Sequence, residues 1–299
     1  MIARTPYADL PRPLLEELAE AGLDPRDVYE MVVRAFDEDL PKGGVDVTSA
    51  AMSPMGEGTG DIGSRRPGVV AGLAVAELVF VYALGDAVEI VARVPDGSHV
   101  VAGDVVMTVT GPVQDLLTAE RTALNFASHL SGVATSTSHW VAALEGTGAR
   151  VLDTRKTLPT YRALQKYAVR CGGGVNHRLG LADRAMVKDN HVIAAGGAVA
   201  AYLLVRDANP GLRVEVEVAD LDELRALLEA GCTEILLDNM TTETMAEAVR
   251  IAAGRAVLEA SGGLTLDRAR EVADTGVDLI SVGALTHSVT ARDLGLDLR

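Results

Sequence analysis

The fold is decided by the stretch from Val214 to Met240, VEVEVADLDELRALLEAGCTEILLDNM. It opens with an alternating apolar segment at Val214–Val218, continues with leucines at helical spacing, and returns to an apolar run at Ile235–Leu237. The order strand, helix, strand predicts two parallel strands that are joined by a right-handed crossover.

The same rhythm continues toward the end of the chain. Further strands are predicted at Val257–Leu258 and Leu279–Val282, with helices at Leu221–Ala230, Thr244–Ala253 and Leu266–Ala273. We therefore expect an α/β fold with a parallel sheet. Periodicity alone fits both an incomplete (β/α) barrel and an open doubly wound sheet. Neither a G-x-G-x-x-G nor a P-loop motif follows these strands, which weakens the second alternative.

The first part of the chain has a different pattern, which predicts a smaller domain with antiparallel strands. Asp24 and Pro25 are typical of a helix start, and the apolar spacing extends that helix through Leu40. A hairpin-like turn is predicted within Gly97–Gly111, where Gly103-Asp104 lies between valine-rich flanks. Strands are predicted at Val69–Ala71, Val88–Val94 and Val105–Thr110.

The composition restricts the class of partner. The 299 residues carry a formal net charge of -15, so nucleic acid and anionic membranes are disfavoured as partners. Cys171 and Cys232 are too few for a disulfide framework or a zinc site, and no segment resembles an export signal or a membrane span. We expect a cytoplasmic protein that binds small molecules.

One short segment reverses the acidic balance. Residues 150–191 contain nine Lys and Arg against three Asp. Within it, Thr154-Arg155-Lys156, His177-Arg178 and Lys188 lie beside predicted turns. An arginine fork pairs with carboxylates and lysine supplies a compact charge, so this set predicts a site for a dicarboxylate together with phosphates. At least half of Arg162, Lys166, Arg170 and Arg184 are expected to be exposed helix charges.

Polar residues also follow the predicted strands, where a parallel barrel places its active site. Gly262, Gly263 and Gly283 follow the last two strands, and such turns commonly bind phosphate through backbone N–H groups. Glu217 and Asp238 end two successive strands and are expected to hold ribose hydroxyls or Mg²⁺. A histidine is more often structural than catalytic, and the neighbouring cations are what favour binding for His177.

The region from Asp153 to His191, DTRKTLPTYRALQKYAVRCGGGVNHRLGLADRAMVKDNH, resembles the signature of quinolinate phosphoribosyltransferases. The resemblance continues in AERTALNF (119–126), SGVAT (131–135), ILLDNM, LEASGG and SVGALTHS, and so covers most of the chain after about residue 110. It implies a decarboxylating pentosyltransferase, a carboxylating nicotinate-nucleotide diphosphorylase, which makes nicotinate mononucleotide from quinolinate and phosphoribosyl pyrophosphate in NAD biosynthesis.

The resemblance also implies an architecture. It predicts an N-terminal α/β sandwich domain at residues 1–124 and an incomplete TIM-like barrel at 125–286, with a tail at 287–299 that can return to the first domain. It further implies a homodimer, or a higher oligomer of dimers, in which Arg121 reaches the neighbouring subunit's site.

Individual roles follow from the same resemblance. Lys156, Lys188, Glu217 and Asp238 are implied to be catalytic, and Glu217 and Asp238 to hold Mg²⁺ directly or through water or substrate. The implied substrate-binding residues are Arg121, Thr154, Arg155, Lys156, His177, Arg178, Lys188, Glu217, Asp238, Ser261, Gly262, Gly263, Gly283 and His287.

The loop after Lys156 departs from the family pattern, and other functions remain to be considered. Leu158 and Thr160-Tyr161 depart from the family pattern, which bears on the loop after Lys156 but leaves every charged position in place. A related phosphoribosyltransferase for another acidic ring, an aldolase-like barrel that forms a Schiff base at Lys156 or Lys188, and a noncatalytic binding protein remain as alternatives.

Overall fold

The computed structural model describes residues 2–52 and 54–299, which form two compact units. The first unit consists of the chain through Ser136 together with Ala163–Gly173 and Val289–Arg299. The second consists of Thr137–Arg162 and Gly174–Ser288. The long helix α5, Val113–Ala143, therefore runs through the predicted boundary at residues 124 and 125, and the C-terminal tail belongs to the first unit.

The first unit combines helices with an antiparallel sheet. Its main sheet has the strand order β12-β1-β5-β3, and β2 and β4 form a separate pair. Asp24 begins α2 as predicted, because its side chain accepts hydrogen bonds from the N–H groups of Arg26 and Asp27. Helix bounds are α1 Arg12–Glu20, α2 Pro25–Asp39, α3 Val47–Ala51, α4 Leu73–Leu84 and α6 Arg162–Cys171. Strand bounds are β1 Glu57–Ser64, β2 Gly68–Val69, β3 Glu89–Arg93, β4 His99–Val100, β5 Val105–Pro112 and β12 Leu294–Leu298.

The predicted hairpin around Gly103-Asp104 is wrong in its strand pairing. The turn exists, because the N–H of Asp104 donates to the carbonyl of Val101 and Gly103 has φ +96°. However, β4 pairs with β2, whereas β5 pairs with β1 and β3. The two flanks of the turn thus belong to different sheets.

The second unit is a parallel α/β structure, as predicted. Six parallel strands have the order β6-β11-β10-β9-β8-β7, so β11, the last of these strands along the chain, pairs with β6, the first of them. No strand pairing joins β6 to β7 among the residues described. The strands are β6 Arg150–Leu152, β7 Ala185–Val187, β8 Val214–Val218, β9 Glu234–Asp238, β10 Val257–Ser261 and β11 Leu279–Ser281. The helices are α7 Asp189–Ala195, α8 Ala198–Ala208, α9 Leu221–Glu229, α10 Thr242–Ala252, α11 Ala269–Ala273 and α12 Ala284–His287.

Helix α9 shows why the sequence pattern was informative. Asp220 caps its start by accepting from the N–H groups of Asp222 and Glu223. Leu224, Leu227 and Leu228 follow at spacings of three and four residues and are all buried. The helix therefore buries one stripe and leaves its charged face to solvent.

Across the described part of the chain, no single helix combines the length and the apolar composition of a membrane span. The bent pair α7 and α8 meets those criteria only jointly, across an angle of 91°.

Candidate active site

A cavity of about 130 Å³ lies in the second unit. Residues from the segments that follow β6, α6 and β7 line it together with residues from within β7, β9, β10 and β11. The lining residues are Thr154, Arg155, Lys156, His177, Arg178, Met186, Lys188, Leu236, Glu259, Ser261 and Ser281. Seven of the predicted site residues are in this set, and the structure therefore brings the two cationic segments of the signature region to one place.

The two-residue period of the strands explains how polar side chains reach this cavity. Glu215 and Glu217 alternate with buried valines along β8, so they share one face of the sheet. On β10, Glu259 and Ser261 share a face in the same way, while Leu258 and Ala260 point to the other side. Apolar residues therefore pack under the helices, and polar ones project from the opposite face.

Three of the cavity's cations have no acidic partner within the part of the chain that the structure describes. No carboxylate oxygen lies within 4.0 Å of Arg155, Lys156 or Arg178 among the residues that the structure describes. The Nε of Arg155 is buried and has no hydrogen-bond partner among residues 2–52 and 54–299. Burial, together with the charge of Arg155, holds the pKa of Arg178 below its ordinary value. This arrangement is suited to an anionic ligand.

The backbone of the first cationic segment is fixed by local hydrogen bonds. The hydroxyl oxygen of Thr154 accepts from the N–H of Lys156 over 2.9 Å. The hydroxyl of Thr286, which is buried in α12, donates to the carbonyl of Lys156 over 2.7 Å. Helix α12 and the loop after β6 are thereby connected at Lys156.

Lys188 differs from the other three cations because its charge is matched. Its Nζ lies 2.7 Å from Oε2 of Glu217 at the end of β8. The Nζ is therefore held against a carboxylate oxygen and is not free to attack a carbonyl carbon. The contact therefore weighs against a Schiff base at Lys188.

Gly283 separates two predicted phosphate-binding side chains. A Cβ added at Gly283 would lie 2.9 Å from Cδ of Lys156 and 3.1 Å from Nε2 of His287. His287 is exposed, and its Nδ1 lies 2.6 Å from the hydroxyl oxygen of Ser288. Glycine at this position thus lets a lysine and a histidine approach the same backbone.

A second glycine turn follows β10. Gly262 has φ +99°, and a Cβ there would lie 2.2 Å from Oδ1 of Asn239. Asn239 itself has φ +53°, its N–H donates to the carbonyl of Ser261, and its Nδ2 donates to Asp238 over 2.7 Å. Asp238 and the Ser261-Gly262-Gly263 turn are therefore held together at neighbouring strand ends.

His177 lines the cavity, but both of its ring nitrogens form hydrogen bonds with other groups of the protein. Its backbone N–H donates to Asp153 over 2.8 Å, and its Nδ1 accepts the N–H of Arg178 over 2.7 Å. Because Nδ1 accepts, the ring proton is assigned to Nε2, which lies 2.9 Å from Oε2 of Glu215. His177 is thus a buried connection that orients the backbone at Arg178.

Sequence reasoning missed the buried acids beneath the cavity. Glu215 and Glu259 are each about 1% exposed, and Arg184 lies 3.1 Å from Oε1 of Glu215. Burial raises the pKa of Glu259 to about 8, and the neighbouring Glu215 charge adds to the effect. For Glu215 burial acts in the same sense, but the bond from His177 and the charge of Arg184 outweigh it and lower its pKa. Glutamate in the interior of an apolar strand was the available signal.

The other basic residues are distributed differently from the expectation. Of the four cations expected to be largely exposed helix charges, only Arg170 is exposed on a helix, whereas Lys166 and Arg184 are buried. Arg121 is exposed on α5 in the first unit.

Both cysteines are free thiols, and burial raises their pKa, to about 12 for Cys171 and about 11 for Cys232.

The loop after Lys156 contains a strained residue where the sequence departs from the family pattern. Thr160 has φ +64°, which is unfavourable for a β-branched residue by roughly 1–2 kcal/mol. We expect Thr160→Gly to raise the free energy of unfolding by about 0.5–1 kcal/mol, after the greater chain entropy of glycine is subtracted. Denaturant titration measures the change. Thr160→Ala, which keeps the Cβ, should gain less, and a lower stability of Thr160→Gly than of the wild type would contradict the strain.

Comparison with known proteins extends these observations over most of the chain. Residues 46–131 match the model of the quinolinate phosphoribosyl transferase N-terminal domain, and residues 133–297 match that of the C-terminal domain. The chain is 50% identical over 274 residues to the nicotinate-nucleotide pyrophosphorylase (carboxylating) of Mycobacterium leprae, covering 90% of this chain and 96% of the relative. It is 38% identical to a decarboxylating quinolinate phosphoribosyltransferase of Nicotiana glauca, covering 91% and 82%. A solved nicotinate-nucleotide pyrophosphorylase from Francisella tularensis superposes with a TM-score of 0.88 at 38% identity, covering 92% and 96%.

Proposed function

The chain belongs to the quinolinate phosphoribosyltransferase family, and we propose that it converts quinolinate and phosphoribosyl pyrophosphate to nicotinate mononucleotide, pyrophosphate and carbon dioxide in NAD biosynthesis. The observation that carries this proposal is the cavity lined by Arg155, Lys156 and Arg178, none of which has an acidic partner among the described residues. In a chain of net charge -15, such a cavity is suited to polyanions.

The ring end and the phosphate end of the site are assigned to different groups. Arg155 and Arg178 hold the quinolinate carboxylates, since guanidinium forks bind carboxylates bidentately. Lys156 and His287 bind the phosphates beside Gly283. Backbone N–H groups of the Ser261-Gly262-Gly263 turn, and the hydroxyl of Thr154, complete the polar lining.

The reaction requires positioning and charge stabilisation from these residues. Lys156 stabilises charge on the departing pyrophosphate while positive charge develops at the anomeric carbon, which the pyridine nitrogen attacks. The C–N bond forms as the C–O bond to pyrophosphate breaks. The 2-carboxylate then leaves as carbon dioxide. The electron pair of the broken C–C bond stays on the ring carbon beside the cationic nitrogen, and this carbon then takes up a proton.

Glu217 and Asp238 are the residues that fit a magnesium ion. Both end neighbouring strands of the sheet and both offer carboxylate oxygens, the donors that Mg²⁺ prefers. Two protein ligands suffice, since Mg²⁺ usually takes its remaining ligands from water and substrate phosphates. When bound, the ion supplies neutralisation of pyrophosphate charge.

The barrel form of the sheet, the oligomeric state and the cell compartment are also parts of this proposal. The cyclic strand order, with the pairing between β6 and β7 missing, supports an incomplete TIM-like barrel. We further propose a cytoplasmic homodimer, or an oligomer of dimers, in which Arg121 of the partner subunit adds a cation to the quinolinate end. Quinolinate, phosphoribosyl pyrophosphate and a second copy of the chain are the proposed partners, and the acidic net charge disfavours nucleic acid and anionic membranes.

A product assay tests the function. The purified protein, given quinolinate, phosphoribosyl pyrophosphate and Mg²⁺, should form nicotinate mononucleotide and carbon dioxide in equal amounts, with neither substrate consumed alone. Turnover of nicotinate without carbon dioxide release would instead identify a related phosphoribosyltransferase. Trapping of a carbonyl substrate at Lys156 or Lys188 by borohydride would identify the aldolase-like alternative, and ligand binding without pyrophosphate release a binding protein.

Removal of divalent cations tests the assignment of Glu217 and Asp238. Treatment with EDTA should abolish turnover, and added Mg²⁺ should restore it. Asp238→Asn should raise the Mg²⁺ concentration needed for half-maximal activity by about tenfold or more, because one charged ligand is lost. Glu243→Gln, at an exposed acid of α10, is the matched control. Full activity in EDTA would contradict the magnesium proposal.

A further inference from the structure

Beneath the cavity lies a buried ionic cluster that the proposed reaction does not use. It contains His177 from the loop before β7, Arg184 immediately before β7, Glu215 of β8, Glu234 of β9 and Glu259 of β10. Arg184 pairs with both Glu215 and Glu234, and Glu234 also pairs with Arg213. Among these residues Glu259 is special, because it is both about 1% exposed and part of the cavity lining.

His177 counts as neutral, because its Nδ1 accepts the N–H of Arg178, and Arg213 pairs with Glu234 from outside the cluster. On this count the charges balance only if Glu259 is neutral. Arg184 and Arg213 supply two positive charges, and Glu215 and Glu234 supply two negative ones. An ionised Glu259 would be a third carboxylate without a matching cation. No Lys or Arg nitrogen of the described residues lies within 4.0 Å of it, and Arg155, Lys156, Arg178 and Lys188 line the same cavity without forming an ion pair with it.

Hydrogen bonding points in the same direction. Both carboxyl oxygens of Glu259 are buried without a donor of ordinary geometry among the described residues. The ring proton of His177 goes to Glu215 at 2.9 Å, while Glu259 Oε2 lies farther from Nε2, at 3.5 Å. As a carboxylic acid, Glu259 can itself donate to the adjacent Glu215 carboxylate, and Ser281 of β11 is its other polar neighbour.

A metal ion is the competing explanation, since His177, Glu215 and Glu259 place possible ligand atoms within 4.8 Å of one another. The local hydrogen bonds oppose it. Nδ1 of His177 accepts the N–H of Arg178, so Nε2 carries the proton and has no lone pair for a metal. Arg184 already supplies a cation 3.1 Å from Glu215.

We propose that Glu259 is a proton-bearing, uncharged wall of the cavity, and that its ionisation weakens binding of the anionic pyridine substrate. An ionised carboxylate there would repel the carboxylates that Arg155 and Arg178 hold, whereas the neutral acid tolerates them. The substrate in this inference rests on the proposed function. Burial beside Glu215 supports the protonated form, since it raises the pKa of Glu259 to about 8.

Quinolinate affinity as a function of pH tests the proposal. In the wild type, the Kd from calorimetry should be constant below about pH 8 and should rise roughly tenfold by about pH 9, where about a tenth of Glu259 keeps its proton. In Glu259→Gln, which keeps the shape of the neutral acid, the Kd should stay within about twofold of its low-pH value throughout. Glu243→Gln, at an exposed acid of α10 outside the cluster, should keep the wild-type pH profile. An alkaline loss of affinity that persists unchanged in Glu259→Gln would overturn the proposal.

Two readouts separate this inference from the proposed function. The folded state binds the extra proton, so the free energy of unfolding of the wild type, relative to Glu259→Gln, should fall as pH rises from about 4.5 to about 8 and then level off. That result does not need a substrate. If quinolinate binds at no pH, the proposed function is wrong. The affinity for inorganic pyrophosphate as a function of pH then tests the role of Glu259.

Infrared spectroscopy of the wild type provides the second readout, and it holds even if the variant folds poorly. A carbonyl band of a buried carboxylic acid should be present at pH 7 and should disappear at pH 9.5, whereas its absence at pH 7 would contradict the proposal. Stabilisation by Zn²⁺ that is lost in Glu259→Gln would also overturn it, because a metal would hold the carboxylate in its ionised form.

Discussion

Arg178→Ala is expected to lower kcat/KM for quinolinate by about 100- to 1,000-fold, which corresponds to roughly 3–4 kcal/mol of transition-state stabilisation. The guanidinium has no acidic partner among the described residues, so its loss removes substrate binding rather than an internal ion pair. Steady-state kinetics with quinolinate as the varied substrate measures the effect. Arg155→Ala should have an effect of similar size.

The fold should survive this substitution, because the N–H that donates to His177 belongs to the backbone and is retained. The lost side-chain contact is one hydrogen bond to the carbonyl of Arg184, at 3.2 Å. Arg178→Lys should recover little activity, since an ammonium cannot form the bidentate contact. Arg250→Ala, at an exposed α10 residue that pairs with Glu247, is the control and should keep wild-type kinetics. Turnover near the wild-type rate in both Arg155→Ala and Arg178→Ala would contradict the assignment of these arginines to the quinolinate carboxylates.

Gly262→Ala is expected to abolish activity and to lower the free energy of unfolding by about 2–4 kcal/mol. Two effects add, because φ is +99° and the new Cβ would lie 2.2 Å from Oδ1 of Asn239 and 3.0 Å from its backbone nitrogen. The displacement of Asn239 also removes its hydrogen bond to Asp238. Denaturant titration and product formation measure the two consequences.

Gly263→Ala is the matched control for stability. Gly263 also has a positive φ, +56°, but a Cβ there would meet no atom within 4 Å, so only the strain of about 1–2 kcal/mol remains. Adding Asn239→Gly to Gly262→Ala removes the clashing side chain and should restore part of the lost stability. Equal stability of Gly262→Ala and Gly263→Ala would show that the contact with Asn239 does not limit this turn.

The sequence was most informative where a pattern reports local structure. The strands and helices of residues 214–281 were predicted because periods of two and of 3.6 residues alternate there. Helix α4 gave no such signal, since nearly all of its residues are buried and apolar and it has no polar face. The pairing of β4 with β2 was missed because pairing depends on distant segments, whereas the turn at Gly103 depends on adjacent residues.

The candidate site shows the same division. The clustering of cations beside predicted turns in residues 150–191 predicted that Arg155, Lys156, Arg178 and Lys188 share a site, and one cavity contains all four. Sequence could not separate Lys188, which pairs with Glu217, from the three unmatched cations, because that difference depends on side chains from two strands. The roles of His177 and Glu259 were likewise hidden, since only the packed sheet places them against Glu215.

A crystal structure of the protein with bound quinolinate tests the central claim most directly. The claim is that the unmatched cations of one cavity bind the dicarboxylate. The account predicts density for quinolinate in the cavity beside Glu259 and Ser261, with carboxylate oxygens within hydrogen-bonding distance of the Arg155 and Arg178 guanidinium groups. Quinolinate bound elsewhere, with Arg155 and Arg178 making no contact to it, would contradict the account.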